Sequence, residues 1–265
     1  MWLAIDWGGA GSRWYREVRR GFSCQALPGS FFDYPSHPKT NGRGPMRTIA
    51  GSLALTSLAL LIPLEGSAQL QSPTTWRWRT DAPAAVTNVP DEVRDSTFAF
   101  VEMPPGWHVT MGPGGVLYEP RYFADGAYTI ESQIYHFPNS TNAEYGFAVG
   151  GRQLEGQQAR YVAFVARADG SVAAWEQQGS ERRMLSDWKH ADAVVPSNGK
   201  EVVGNLLKLS VSGGEAILRA NGLDVLIVPL EGLALDGQFG FRVGPGVNLH
   251  ASTYTVQLRL APARR

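Results

Sequence analysis

The residues best placed for chemistry in this 265-residue chain lie in a run of strict alternation, "AYTIESQIYHF", residues 127–137. In an extended strand successive side chains point to opposite sides. Tyr128, Ile130, Ser132, Ile134 and His136 then share one side, and Thr129, Glu131, Gln133, Tyr135 and Phe137 the other. With the first side in a core, the second presents a carboxylate, an amide and a phenol on a sheet surface. Planar polar groups beside an aromatic platform suit a hydroxyl-rich ligand. The competing reading is a solvated face on which Glu131 pairs with an arginine across the strand. Arg167 and Trp175 flank the Asp169-Gly170 turn, which predicts a guanidinium over an indole across a hairpin. There Trp175 would stack on a ring and Arg167 would hold a hydroxyl or carboxylate; alternatively the pair only covers a strand edge. "SDWKH" places Trp188 and His190 in an expected loop, where binding residues concentrate. A Trp that buries itself to anchor that loop is the plainer alternative. Arg242, in "GFRVG", joins the set. A single site requires Glu131, Tyr135, Arg167, Trp175 and Arg242 to share one surface.

Other chemistries find less support. His108, His136, His190 and His250 show no His-x-x-x-His spacing, so no metal set is legible. Gly-x-Ser-x-Gly does not occur. "IDWGGAGS" near the start has glycines but lacks the Lys-Ser/Thr of a phosphate-binding loop.

These residues must be positioned by strands, because nearly every signal after Asp95 is a strand signal. "STFAFVEM" alternates, and "GWHVTMGPGGVLYEP" reads as two short strands around a Gly-Pro-Gly-Gly turn. Asp169-Gly170, Gly213-Gly214 and Asn221-Gly222 each separate two apolar runs, the strongest short-range hairpin signal. "ERRMLSDWKHADAVV" is the nearest thing to a helix and reads equally as a strand. In the last run Tyr254, Val256, Leu258 and Leu260 point inward, and Thr253, Thr255, Gln257 and Arg259 outward. Many short strands with turns every roughly 8–12 residues predict an all-β, antiparallel sandwich or barrel.

"MRTIAGSLALTSLALLIPLEGSAQ", residues 46–69, has a positive start, an uncharged apolar stretch and a small-residue cleavage site after Ala68. It predicts a secretory signal beginning at Met46, too short and too interrupted for a spanning helix. Residues 1–45 show no period and read as an upstream extension without folded structure; 69–95 read as an extended arm, and 96–262 as the domain. Destination is then the periplasm or the extracellular space, with no membrane association after cleavage. The whole chain has 24 basic and 24 acidic residues; the first 68 carry seven and four of these, which leaves 17 and 20 on 69–265. That weak negative balance argues against nucleic acid as a partner. The one cysteine, Cys24, precedes the domain, so the domain has no disulfide and no thiolate chemistry.

The runs "GWHVTMGPGGVLYEPRYFADGAYTIESQIYHFP", "EYGFAVGG", "YVAFVARADGSVAAW", "GGEAILRANGLDV" and "GQFGFRVGPGVNLHAS" resemble a bacterial secreted family with the concanavalin A-like jelly roll. That family is similar to 3-keto-disaccharide hydrolase domains and to laminin-G-type domains. The resemblance implies two stacked antiparallel sheets and a carbohydrate partner. It leaves room for a structural calcium but implies no other cofactor. Glycosidases of this fold commonly carry Glu-x-Asp-x-x-Glu on one strand, and this chain does not. A glycan-binding module is therefore the leading expectation. A hydrolase acting through Glu131 or Asp169, with a raised carboxyl pKa, is the second, and an adhesion domain without small ligand is the third.

Overall fold

The computed structural model describes residues 2–5 and 71–259, apart from residues 88, 91–93, 139, 141 and 143. The chain divides into two units, Arg13–Ala68 and Met1–Ser12 with Gln69–Arg265. The first unit, which contains most of the signal-like stretch, lies outside the described residues. The reading gave 1–45 no element; four of those residues form β1 (Trp2–Ile5), paired with β15 (Thr255–Arg259).

The second unit is an all-β, mainly antiparallel sandwich, as the alternation predicts, with no helix among the described residues. Two long strands make its spine. β5 (Trp107–Ala124) and β14 (Gly237–Ala251) pair along almost their whole length. Here the structure corrects the sequence reading: Gly112–Gly115 is no turn between two strands. "GPG" recurs in both partners, Pro113 sits opposite Pro245, and the register runs through them without a shift. A Cβ on Gly114 would come 3.0 Å from Asp81 Oδ2 and 3.1 Å from the Pro245 nitrogen, and its φ of +78° suits glycine.

The spine belongs to both sheets. One half of β14, Gln238–Val243, pairs with β7 (Glu144–Arg152), followed outward by β8 (Arg160–Arg167), β9 (Ser171–Gln178) and β10 (Glu181–His190). β2 (Arg77–Thr80) adds to this sheet along β5. The other half, Leu249–Ala251, pairs with β6 (Tyr128–His136), followed by β11 (Val203–Ser212), β12 (Glu215–Ala220) and β13 (Leu223–Pro229). β4 (Thr97–Glu102) lines the same half of β5, with β3 (Ala85–Val86) parallel to it. The predicted hairpins at Gly213-Gly214 and Asn221-Gly222 are present, with φ positive at both central residues of each, the backbone a two-residue hairpin needs.

Between the sheets lies the core: Phe147, Phe164 and Phe241 from one side, Ile130, Leu209 and Leu218 from the other. The arm is part of it. Trp76 stacks on Phe241 at 5.9 Å, and Trp78 rests on Phe98. β6 alternates buried and half-buried residues without a break, with Tyr128, Ile130, Ser132, Ile134 and His136 inward as expected.

Candidate functional site

The second sheet's outer face is an ordinary surface. Glu131 lies opposite Lys208 in the β6–β11 register and pairs with it at 3.2 Å, so the expected cross-strand partner is a lysine rather than an arginine. Gln133 and Tyr135 follow on the same face, half-buried. Tyr135 neighbours the His250 ring at 6.4 Å.

The outer face of the β10–β9–β8–β7–β14 sheet is different. It carries a second apolar cluster of its own, including Tyr118, Ala148, Tyr161, Ala163 and Trp175. Leu154 and Ala159 from the β7–β8 connection pack into it. Trp175 has no exposed surface. It is covered by Arg182, whose guanidinium carbon sits 4.1 Å from the ring centre, and by Trp188 at 6.2 Å. Arg242 points to this side from β14 and is 1% exposed. Its register neighbours are Val116 and Gly146, and a Cβ on Gly146 would collide with the Phe164 carbonyl oxygen of β8. Its Nη1 donates to Asp81 Oδ1 at 3.0 Å, and its Nη2 to Asp81 Oδ2 at 2.6 Å and Glu144 Oε1 at 3.1 Å. Two parallel bonds to one carboxylate fix both partners in direction. Burial alone would lower the Arg242 pKa, but Tyr161, Asp81 and Glu144 outweigh it and hold it above its ordinary value. Arg182 reaches Glu144 at 3.6 Å and Arg79 reaches Asp81 at 3.8 Å, both beyond hydrogen-bond range.

Beside this lattice opens a polar cleft of about 730 Å3. Its described walls come from three places: Arg79 in β2 with Asp81 just after it, Gln157 and Gln158 before β8, and Gln177 to Arg182 across the β9–β10 turn. The turn is set by Gly179 at φ +58°, whose N–H donates to the Ala159 carbonyl, while Gln177 Nε2 donates to the Gly179 carbonyl. A second cleft, about 570 Å3, is lined by Trp76, Trp107, Tyr122, Phe239 and Tyr254 among others.

The five residues expected on one surface divide between two. Glu131 and Tyr135 project from β6, and Arg167, Trp175 and Arg242 from the opposite sheet. Arg167 does not cover Trp175, because Trp175 lies opposite Ala163 in the β8–β9 register. Arg167 stacks instead on Trp188 at 4.0 Å. Trp188 and His190 are on β10, a strand and not a loop; Trp188 is half-buried and His190 pairs with Asp192 at 3.1 Å. Asp169, offered as a hydrolase carboxylate, runs opposite to that role. Burial pushes its pKa up, but Asn142, Ser171 and Arg167 together pull it below the ordinary value. No group of three metal-ligating side chains exists among the described residues. Sequence reasoning missed Asp81, Glu144, Tyr161 and Arg182. Only Arg182 had a legible signal, its place in the charged "ERR" at a turn.

No family model matches the chain, and no curated protein matches it. Among solved structures it is similar to the carbohydrate binding module CBM66 from Bacillus subtilis, at 10% identity over 69% of this chain and 92% of that one, with a TM-score of 0.44. It is also similar to a Bacillus subtilis protein of unknown function with a galectin-like fold, at 13% identity over 70% and 90%, TM-score 0.47. A third is a Bacteroides ovatus GH16 protein in complex with an oligosaccharide product, at 8% identity over 71% and 97%, TM-score 0.48. These are distant likenesses and assign nothing to this chain.

Proposed function

We propose that this protein is a non-catalytic carbohydrate-binding module, exported through the signal beginning at Met46, which binds glycan in the polar cleft beside Arg242. One observation carries the reading: a fully buried, outward-pointing guanidinium, clamped by Asp81 and Glu144, anchors the wall of a cleft lined by four glutamines. Ligand sites use rigid polar groups to fix orientation, and the bidentate bond from the buried Arg242 guanidinium fixes the half-exposed Asp81 carboxylate in direction. Amides and guanidinium groups match hydroxyls in hydrogen-bonding type. A hydrolase of the 3-keto-disaccharide type gains no support here, since Asp81 and Glu144 share one cation and Asp169 is held ionised.

Calorimetric titration of the whole chain with a panel of oligosaccharides tests this. Saturable binding, weakened about tenfold by the double variant Arg182→Ala, Gln178→Ala, is the expected result, equivalent to about 1.4 kcal/mol. Binding that survives this variant and is lost on Glu131→Ala would move the site to the other sheet.

A further inference from the structure

We infer that the cleft selects neutral, hydroxyl-rich sugars against acidic ones, an inference that rests on the reading just given. The charges lining the cleft cancel. Its described walls hold two arginines, Arg79 and Arg182, and two carboxylates, Asp81 and Glu181. The layer beneath cancels too, with Arg242 against Glu144. Arginine alone would suggest a site for carboxylates or sulfates. Here each arginine of the wall already faces an acid whose strongest bonds go to Arg242. A uronate or sulfate held by Arg79 or Arg182 would lie beside Asp81 or Glu144, whose charges repel it. It would also approach the exposed Glu181. Like charges brought together in a partly desolvated site discriminate strongly against the wrong partner.

The hydrogen-bonding groups fit a neutral ligand for a second reason. Arg79 and Arg182 stand 3.8 and 3.6 Å from their acids, beyond hydrogen-bond range, so these carboxylates do not take up their N–H groups. The arginines supply donors, and Asp81 and Glu181 supply acceptor oxygens. Gln157, Gln158 and Gln178 supply both kinds at once. A sugar hydroxyl is donor and acceptor together and satisfies such a wall, whereas a carboxylate only accepts.

The test compares neutral gluco-, manno-, galacto- and fructo-oligosaccharides with galacturonate and mannuronate oligosaccharides of equal length, on the whole chain, by calorimetry at two salt concentrations. Neutral sugars should bind at least about tenfold more tightly, with affinity changing less than about threefold between 20 and 500 mM salt, since screening acts on net charge. In Glu181→Gln, whose wall gains a net positive charge, the ratio of acidic to neutral affinity should rise by about fivefold or more. Tighter, salt-sensitive binding of the uronates by the unaltered protein would overturn the inference and leave the glycan reading standing. An unchanged ratio in Glu181→Gln would also overturn it. Failure of both sugar classes to bind would overturn the glycan reading itself, and the inference with it.

Discussion

The two outer faces of the sandwich follow the same two-residue alternation and end in opposite states. On β6, β11 and β12 the outward residues stay half-exposed and pair across strands, Glu131 with Lys208 and Arg219 with Asp224. On β8, β9 and β14 the outward residues are as buried as the core: Tyr161, Trp175 and Arg242 have at most 2% of their surface exposed. The cause is what lies above them. The β7–β8 connection brings Leu154 and Ala159 over this sheet, and Arg182 closes over Trp175. Alternation fixes which way a side chain points, but burial depends on whether a later segment covers that side.

The sharpest way to break this contrast is Trp175→Ala. If the outward face is a true second core, the variant should lose about 3–5 kcal/mol of unfolding free energy, the range for removing a buried large aromatic. Lys208→Ala on the other face should change it by less than about 1 kcal/mol. Urea midpoints at unchanged slope measure both. Equal small losses would mean that Arg182 covers Trp175 only loosely.

Next in size is Arg242→Met. The variant leaves Asp81 and Glu144 without their buried cation, and should cost about 2 kcal/mol, less than a fully buried pair because 32% of the Asp81 side chain is exposed. Replacing all three by apolar residues should recover much of that loss, because the desolvation of the charges disappears with them. A single Arg242→Met loss below about 1 kcal/mol would show that water reaches the cluster and screens it.

The same comparison shows what the sequence made legible. β11, β12 and β13 were readable because Gly213-Gly214 and Asn221-Gly222 have a local cause: only glycine and asparagine enter positive φ cheaply. β6 was readable because one of its sides is solvated and the alternation is visible in composition. β5 was not, since Gly-Pro-Gly is a turn signal in isolation and becomes strand only when β14 carries the matching Gly-Pro-Gly opposite it. β10 was missed as a strand at Ser186–His190 because its pairing with β9 shifts register twice there, which hides the period. For the site, the direction of Glu131, Gln133 and Tyr135 was right, but their grouping with Arg167, Trp175 and Arg242 was not. Which faces meet is a property of the spine, and no spacing within one strand contains it. Asp81 and Glu144 are 63 residues apart in the chain, on the arm and at the start of β7, and nothing local marks them as partners of Arg242.

Histidines on either side of the β6–β14 junction sharpen the contrast at smaller energy. His136 points inward and His250 outward, yet burial lowers both pKa values to about 4. The unfolded chain titrates near 6.5, so between pH 6.5 and 4 it binds protons that the folded chain refuses. Stability is therefore full above pH 6.5 and falls as pH drops through that window, by up to about 1.4 kcal/mol per pH unit for each histidine. Among the described residues His136 has no hydrogen-bond partner on either ring nitrogen. His136→Leu should flatten its share of the slope and raise stability at pH 7 by about 1 kcal/mol, as removal of an unsatisfied buried polar group does. Unfolding curves from pH 7 to 5 decide it; an unchanged slope in the variant would mean that His136 reaches solvent in the folded state.

The smallest expected effect lies where the covered face gives way to open surface. Arg167 stacks on Trp188, with 27% of the arginine side chain exposed, and its outer nitrogen bonds Asp169 at 2.9 Å. An arginine over an indole at a partly exposed site contributes about 0.5–1 kcal/mol. A double-mutant cycle of Arg167→Ala and Trp188→Ala isolates that coupling from the packing that each side chain also provides. Coupling in this range places the boundary of the second core at β10. Coupling near 2 kcal/mol, the value of a desolvated pair, would extend the covered face to the edge of the sheet. Coupling near zero would confine it to the Trp175 row, and the two outer faces would then differ only where Arg242 and its carboxylates hold the centre.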